Sequence, residues 1–153
     1  MTVQPIPDGY PRLMPYLSID GAAAAIDFYR SVFGAQERMR MPGPDGKLGH
    51  AELAFGESIL MLADISPMSP ADPRKLGGSP VTVMLYVADV DTTYAAALDA
   101  GASGESPPQD QFYGDRSANL VDPWGHRWHI STHVEDVDPE EMNRRMQNLM
   151  PGA

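Results

Sequence analysis

The chain has 153 residues, 42% of them hydrophobic and 21% charged, with no cysteine; that is enough for one domain of usual size or two small sub-domains sharing a core. Eleven Lys and Arg against 21 Asp and Glu leave a net charge of -10, which repels phosphate backbones, and no apolar run approaches the roughly 20 residues a bilayer helix needs. Nucleic acid and membranes are therefore excluded as partners, and so are disulfides, thiolate catalysis, iron–sulfur clusters and cysteine-rich zinc sites.

The opening MTVQPIPDGYPR lacks the basic n-region and apolar stretch of a secretory signal, so cytoplasmic residence is expected. Leu13–Ile19 then reads as a strand that closes on the turn Asp20-Gly21, with Asp20 as the expected N-cap of the next element. Ala25, Ile26, Tyr29 and Phe33 fall at helical spacing within Ala22–Phe33, and Gly34 follows where a left-handed residue ends a helix. A strand is expected over Gln36–Met41, a turn over PGPDGK at 42–47, and a hairpin of His50–Phe55 and Ser58–Ala63 around Gly56-Glu57. Pro67–Pro80, rich in Pro, Gly, Ser and Asp, reads as a linker or mobile flap.

The pattern then restarts. Val81–Ala88 is a strand, Asp89-Val90-Asp91 a turn and cap, and Thr92–Ala100 a helix ended by Gly101. A short strand near Ser103–Ser106 precedes a second hairpin, Ser117–Val121 and Arg127–Thr132, whose Asp122-Pro123-Trp124-Gly125 connection suits a type I turn. Leu17-Ser18-Ile19-Asp20…Gly34-Ala35 and Tyr86-Val87-Ala88-Asp89…Gly101-Ala102 align as one repeated unit. The fold class is thus α+β, two tandem βαβββ modules over residues 10–66 and 81–134, with residues 67–80 between them. Asp138-Pro139-Glu140-Glu141 opens a C-terminal amphipathic helix over 138–150, with Met142, Met146, Leu149 and Met150 on one face. That face is expected to dock on the domain or on a second subunit.

Strand alternation sorts the side chains no helix covers. The uncovered faces collect Met14, Tyr16 and Ser18; His50 and Glu52; Ile59, Met61 and Ala63; Thr82, Met84 and Tyr86; and Arg127, His129 and Ser131. Such a mixture of apolar and polar groups suits a pocket better than a core. Of the four histidines, His126 reads as a solvated loop residue and His133, near Glu135 and Asp136, as a surface imidazole with a raised pKa. Trp128 shares its face with Ile130 and reads as core, while Trp124 in the turn is more open. His50 and Glu52 are expected to bond to each other or to Arg116.

The duplicated pattern, the AIDFYRSVFGA helix, the HAELAFGESILMLAD hairpin and the VDPWGHRWHISTHVEDV ending resemble the vicinal oxygen chelate superfamily of glyoxalases, bleomycin-resistance proteins and extradiol dioxygenases, and within it the PhnB-like branch. The resemblance implies two modules whose curved mixed sheets form a cup, a small-molecule ligand and a homodimer. It also implies that the Phe112–Arg116 loop borders the pocket, which adds Tyr113 and Arg116 to the candidate contacts. The superfamily's metal positions, carried over by register, fall on Met14, Met61, Thr82 and His129, of which only the imidazole suits a hard or borderline divalent ion. Two readings follow. One is a metal-free and cofactor-free protein that binds a small organic molecule through Met14, Tyr16, His50, Met61, Met84, Tyr86, Tyr113, Arg116 and His129. The other is a divalent-metal lyase of glyoxalase type or a dioxygenase, holding Zn, Ni, Mn or Fe on His50, Glu52 and His129, with Glu52 alternatively a general base.

Overall fold

A computed structural model describes residues 2–150 and 152. The chain divides into two compact units, residues 1–79 and 80–153. In the first, β1 (Tyr16–Ile19), α1 (Ala22–Phe33), β2 (Gln36–Pro42), β3 (Leu48–Phe55) and β4 (Ser58–Asp64) build a sheet of order β1-β4-β3-β2, followed by the one-turn α2 (Pro73–Leu76). β1 runs parallel to β4 and the other pairs are antiparallel. In the second, β5 (Thr82–Tyr86), α3 (Val90–Asp99), β6 (Ser103–Asp110), β7 (Asp115–Val121) and β8 (Arg127–His133) repeat that order as β5-β8-β7-β6, and α4 (Pro139–Leu149) closes the chain. The α+β architecture and the repeated βαβββ pattern are both observed.

Periodicity explains most of this. In the first unit α1 buries Ala25, Ile26, Phe28, Tyr29 and Phe33, and the sheet buries Leu17, Ile19, Ala51, Leu53, Leu60 and Leu62. Tyr29 and Phe33, one turn apart, stack at 6.0 Å. The second unit has a smaller core in which Ala97, Ala118, Leu120, Ile130 and the fully covered Trp128 meet. The expected alternation of covered and uncovered strand faces holds for β1 and β5, where Tyr16, Thr82, Met84 and Tyr86 are exposed, whereas in β3 Ala51, Glu52 and Leu53 are buried in succession.

Several expectations are corrected. Asp20 does not cap α1. The cap position is Gly21, which has no side chain to offer, and the Asp64 carboxylate supplies the missing acceptor from the end of β4. Asp20 instead donates its backbone N–H to Asp72, and its carbonyl accepts from Arg74. Within the 67–80 segment, expected as a linker or mobile flap, Asp72 caps α2, pairs with Arg74 and ties this stretch to the β1–α1 junction. β6 runs on to Asp110 through Pro107 and Pro108, which are tolerated because this is an edge strand and its pairing with β7 is irregular between Ser106 and Gln109, where neither proline has a ladder partner. Ser131, grouped with Arg127 and His129, is fully buried beside its pairing partner Ser117, over which the Tyr113 hydroxyl lies at 3.5 Å. His126 is half-buried, not a solvated loop residue.

The C-terminal helix begins as expected, with Asp138 accepting from the Glu141 N–H and Pro139 in the first turn. It buries no residue in its own unit, and Met146, Leu149 and Met150 are exposed. Arg145 holds it by reaching Glu135, Glu141 and the Phe112 carbonyl. The chain leading to it passes so close to Gly114 (φ +100°) that a Cβ there would strike the Glu135 carbonyl.

Candidate functional site

In the first unit the uncovered sheet face carries a buried acid. Glu52 is only 4% exposed, and a carboxylate so placed needs donors. Tyr10 donates its hydroxyl to both oxygens, at 3.0 and 3.2 Å. His50 Nε2 lies 3.1 Å from Oε1 and an Arg38 nitrogen 3.3 Å from Oε2. Because an ionised carboxylate only accepts, His50 carries its proton on Nε2, and in the neutral ring Nδ1 accepts from the Tyr16 hydroxyl at 2.7 Å. Burial pushes the Glu52 carboxyl up, but the bonds from His50 and Tyr10 and the Arg38 charge together outweigh it and hold the group below the usual carboxylate range. The Tyr16 phenol is raised, by burial and then by the nearby Glu52 charge.

Arg38 reaches this face because β2 is irregular. Glu37 pairs with Leu53 and Met39 with Glu52, so Arg38 is an extra residue opposite Glu52, and the bulge re-aims its side chain. Its guanidinium also sits 4.7 Å from the Tyr10 ring centroid. Tyr10 is thereby clamped between a cation and a carboxylate, and the segment 5–12 is drawn across the sheet. Beneath it lies a cavity of about 610 Å³ walled by Pro5, Ile6, Pro7 and Pro11, floored by Met14 and Met61, and edged by Tyr10, Arg12 and Glu52. A second hollow of about 680 Å³ lies past Tyr16, but of its two acids Asp64 is occupied by three backbone N–H groups and Asp45 accepts the Lys47 N–H, and its Ser18 and Ser69 hydroxyls bond to each other.

Thus Met14, Tyr16, His50, Glu52 and Met61 share one face of the first sheet, and His50 bonds to Glu52, the first of its two expected partners. The other candidates lie in the second unit. There Tyr86 donates to the buried Asp115 at 2.8 Å, and His133 is bracketed by Asp115 and Asp136 at 2.8 and 2.9 Å. Bonds to Asp136 and then Asp115 raise the His133 pKa, and the bond to Asp115 raises that of Tyr86. Arg116 is taken up by Asp91 and Asp110, which strengthen its basicity. His129 bonds to Asn119 at 2.7 Å, and Asn119 to Ser106. Reasoning from sequence missed Tyr10, Arg12 and Arg38. The bulge leaves no local signature, and Tyr10 stands in a Pro-rich stretch outside any strand.

The raised His133 pKa has a testable sign. The stabilisation its charge provides is complete below the ordinary imidazole value of 6.5 and disappears as pH rises through the higher folded value. His133→Gln is expected to lower the melting temperature most near pH 5.5 and progressively less above neutrality; an unchanged difference across that range would disprove the clasp.

A family model for the Glyoxalase/Bleomycin resistance protein/Dioxygenase superfamily matches residues 13–130. The chain belongs to this superfamily. It is 43% identical over 146 residues to the uncharacterized protein Rv0887c of Mycobacterium tuberculosis, covering 93% of this chain and 86% of that one. It also resembles TioX from Micromonospora sp. ML1, with 28% identity, a TM-score of 0.61, and coverage of 81% of this chain and 99% of TioX. TnmS3, an antibiotic binding protein from Streptomyces sp. CB03234, shares the fold at 22% identity and a TM-score of 0.58, over 78% of this chain and 93% of TnmS3. Members of the superfamily use divalent metals in many cases, but these donors do not fit one. Of the register positions, Met14, Met61 and Thr82 offer two thioethers and a hydroxyl, soft or weak ligands for such ions, and leave His129, bonded to Asn119, as the one suitable donor. In the alternative set, the Arg38 guanidinium already occupies Glu52, where a divalent cation would have to approach against like charge.

Proposed function

We propose that this superfamily member binds a small, partly apolar organic molecule in the cavity under residues 5–12, and does so without a metal. The observation that carries the reading is the cavity itself, with its proline and thioether walls and a polar edge whose hydrogen bonds are already in place. Glu52 acts as a positioning residue for Tyr10 and Arg38. A carboxylate already engaged by three donor groups, and whose pKa is held low, is a poor general base at neutral pH. Antibiotic binding, as named for TnmS3, is one use of such a site.

No helix among the described residues is long and apolar enough to cross a membrane. A cytoplasmic homodimer of the PhnB-like branch completes the reading, and the exposed Met146, Leu149 and Met150 of α4 supply an apolar surface that such pairing would cover. The test combines elemental analysis of protein purified without chelator or nickel resin with fluorescence titration of the neutral probe N-phenyl-1-naphthylamine. Expected are saturable binding that EDTA leaves unchanged and Met14→Glu or Met61→Glu weakens, and no stoichiometric divalent metal. Stoichiometric metal that disappears in a His50→Ala or His129→Ala variant would overturn the metal-free reading and favour the alternative of a metal-dependent lyase or dioxygenase.

A further inference from the structure

The cavity edge has an unbalanced charge. Glu52 is discharged internally by Arg38, Tyr10 and His50. Arg12, on the same edge, has no carboxylate partner among the described residues, whereas Arg30, Arg38, Arg40, Arg74, Arg116, Arg127, Arg144 and Arg145 each have one. In a chain whose acids outnumber its Lys and Arg by 21 to 11, an arginine left unpaired is the exception. It stands at the polar edge of a cavity whose walls and floor are apolar.

Resting on the reading that this cavity is a ligand site, we propose that Arg12 selects the ligand class: an organic acid whose apolar body lies on Met14 and Met61 and whose oxyanion is held by the Arg12 guanidinium. A planar guanidinium suits this role because its fork of N–H donors matches a carboxylate or sulfonate with two parallel bonds. A cationic ligand gains nothing at Glu52, because it would have to displace Arg38 and the Tyr10 hydroxyl to reach the oxygens. The site therefore presents one uncompensated positive charge in a protein whose overall field is negative, and disfavours cations because the Arg38 and Arg12 guanidinium groups meet them at the only acid of the edge.

The experiment compares two fluorescent probes of similar aromatic size, anionic 1-anilinonaphthalene-8-sulfonate and neutral N-phenyl-1-naphthylamine, on wild type, Arg12→Gln and Arg12→Lys at pH 7. Arg12 is exposed, so both variants are expected to melt like wild type. The expected result is a loss of about tenfold in affinity for the sulfonate in Arg12→Gln, partial recovery in Arg12→Lys, and no change for the neutral probe. Naphthalene-1-carboxylate should displace the sulfonate, and sodium sulfate at matched ionic strength should not. Equal effects of Arg12→Gln on both probes, or none on either, would overturn the charge selection while leaving the cavity reading intact, and displacement by sulfate would show an oxyanion site with no organic specificity. Failure of both probes to bind, or binding indifferent to Met14→Glu and Met61→Glu, would remove the cavity reading and this inference with it.

Discussion

Asp122→Ala is expected to destabilise the second unit by about 3–4 kcal/mol, read as a lower urea midpoint in tryptophan fluorescence. Asp122 is 3% exposed and organises the β7–β8 turn through three donors. Oδ1 accepts the backbone N–H groups of Trp124 and His126 at 3.0 Å each, and Oδ2 accepts the Trp128 indole N–H at 2.9 Å. Alanine leaves that indole donor buried without its acceptor, beneath a ring that is itself 1% exposed. Asparagine keeps one acceptor oxygen but turns an amide N–H₂ toward another donor, so Asp122→Asn should cost less, about 1–2 kcal/mol. Both tryptophans of the chain flank this turn, so their emission reports this unit directly. A loss below about 1 kcal/mol for Asp122→Ala would mean that the turn holds its shape without the carboxylate.

The same aspartate illustrates what a sequence can and cannot yield. Asp122-Pro123-Trp124-Gly125 reads correctly as a turn because its signal is local: Gly125 gives its N–H to the Asp122 carbonyl, as a tight turn requires. The Ala22–Phe33 helix is legible for a similar reason, since its apolar spacing and Gly34 lie within one short window. The roles of the acids are not legible, because each depends on partners far along the chain. Glu52 alternates correctly with Ala51 and Leu53, yet nothing near it in sequence announces Tyr10, or that a bulge at Arg38 delivers a guanidinium. Likewise Asp20 looks like a cap by position, and loses that role to Asp64 only because the parallel pairing of β1 with β4 sets Ile19 opposite Asp64. Pattern reveals which face a side chain occupies, and long-range register decides what meets it there.

That register makes the duplication more faithful than the sequence repeat suggests. Tyr16 pairs with Met61, and Met84 with His129, so Asp64 at the end of β4 corresponds to Thr132 near the end of β8. Both serve the start of the helix beside them. The Asp64 Oδ1 accepts from the Gly21 and Ala22 N–H groups, while the Thr132 hydroxyl accepts from Val90 N–H and donates to the Val87 carbonyl. Asp89, which lines up with Gly21 rather than Asp20, adds a second cap on Thr92 in the second unit. The repeat thus conserves a device, a side chain from the last strand satisfying the first turn of the helix, with a charged group in one copy and a neutral one in the other.

Asp64→Ala is accordingly expected to cost the first unit about 2–4 kcal/mol by far-UV circular dichroism, since Oδ2 also accepts the N–H of the buried Leu48 at 2.7 Å and so joins α1, β4 and β3. The charge gives this cost a pH dependence with a definite sign. Burial pushes the Asp64 carboxyl up, but backbone bonds from Ala22, Leu48 and Gly21 outweigh it and lower the pKa in the folded state. Its stabilisation is therefore present above the ordinary carboxylate value, about 3.9, and is lost as pH falls through the lower folded value. The gap between wild type and Asp64→Asn should hold steady from pH 7 to about 5 and close on further acidification. Thr132→Val removes the equivalent cap without a titrating group, so its cost, about 1–2 kcal/mol, should not vary over that range. A pH-independent Asp64→Asn gap would show that hydrogen-bond geometry alone, and not ionisation, fixes the start of α1.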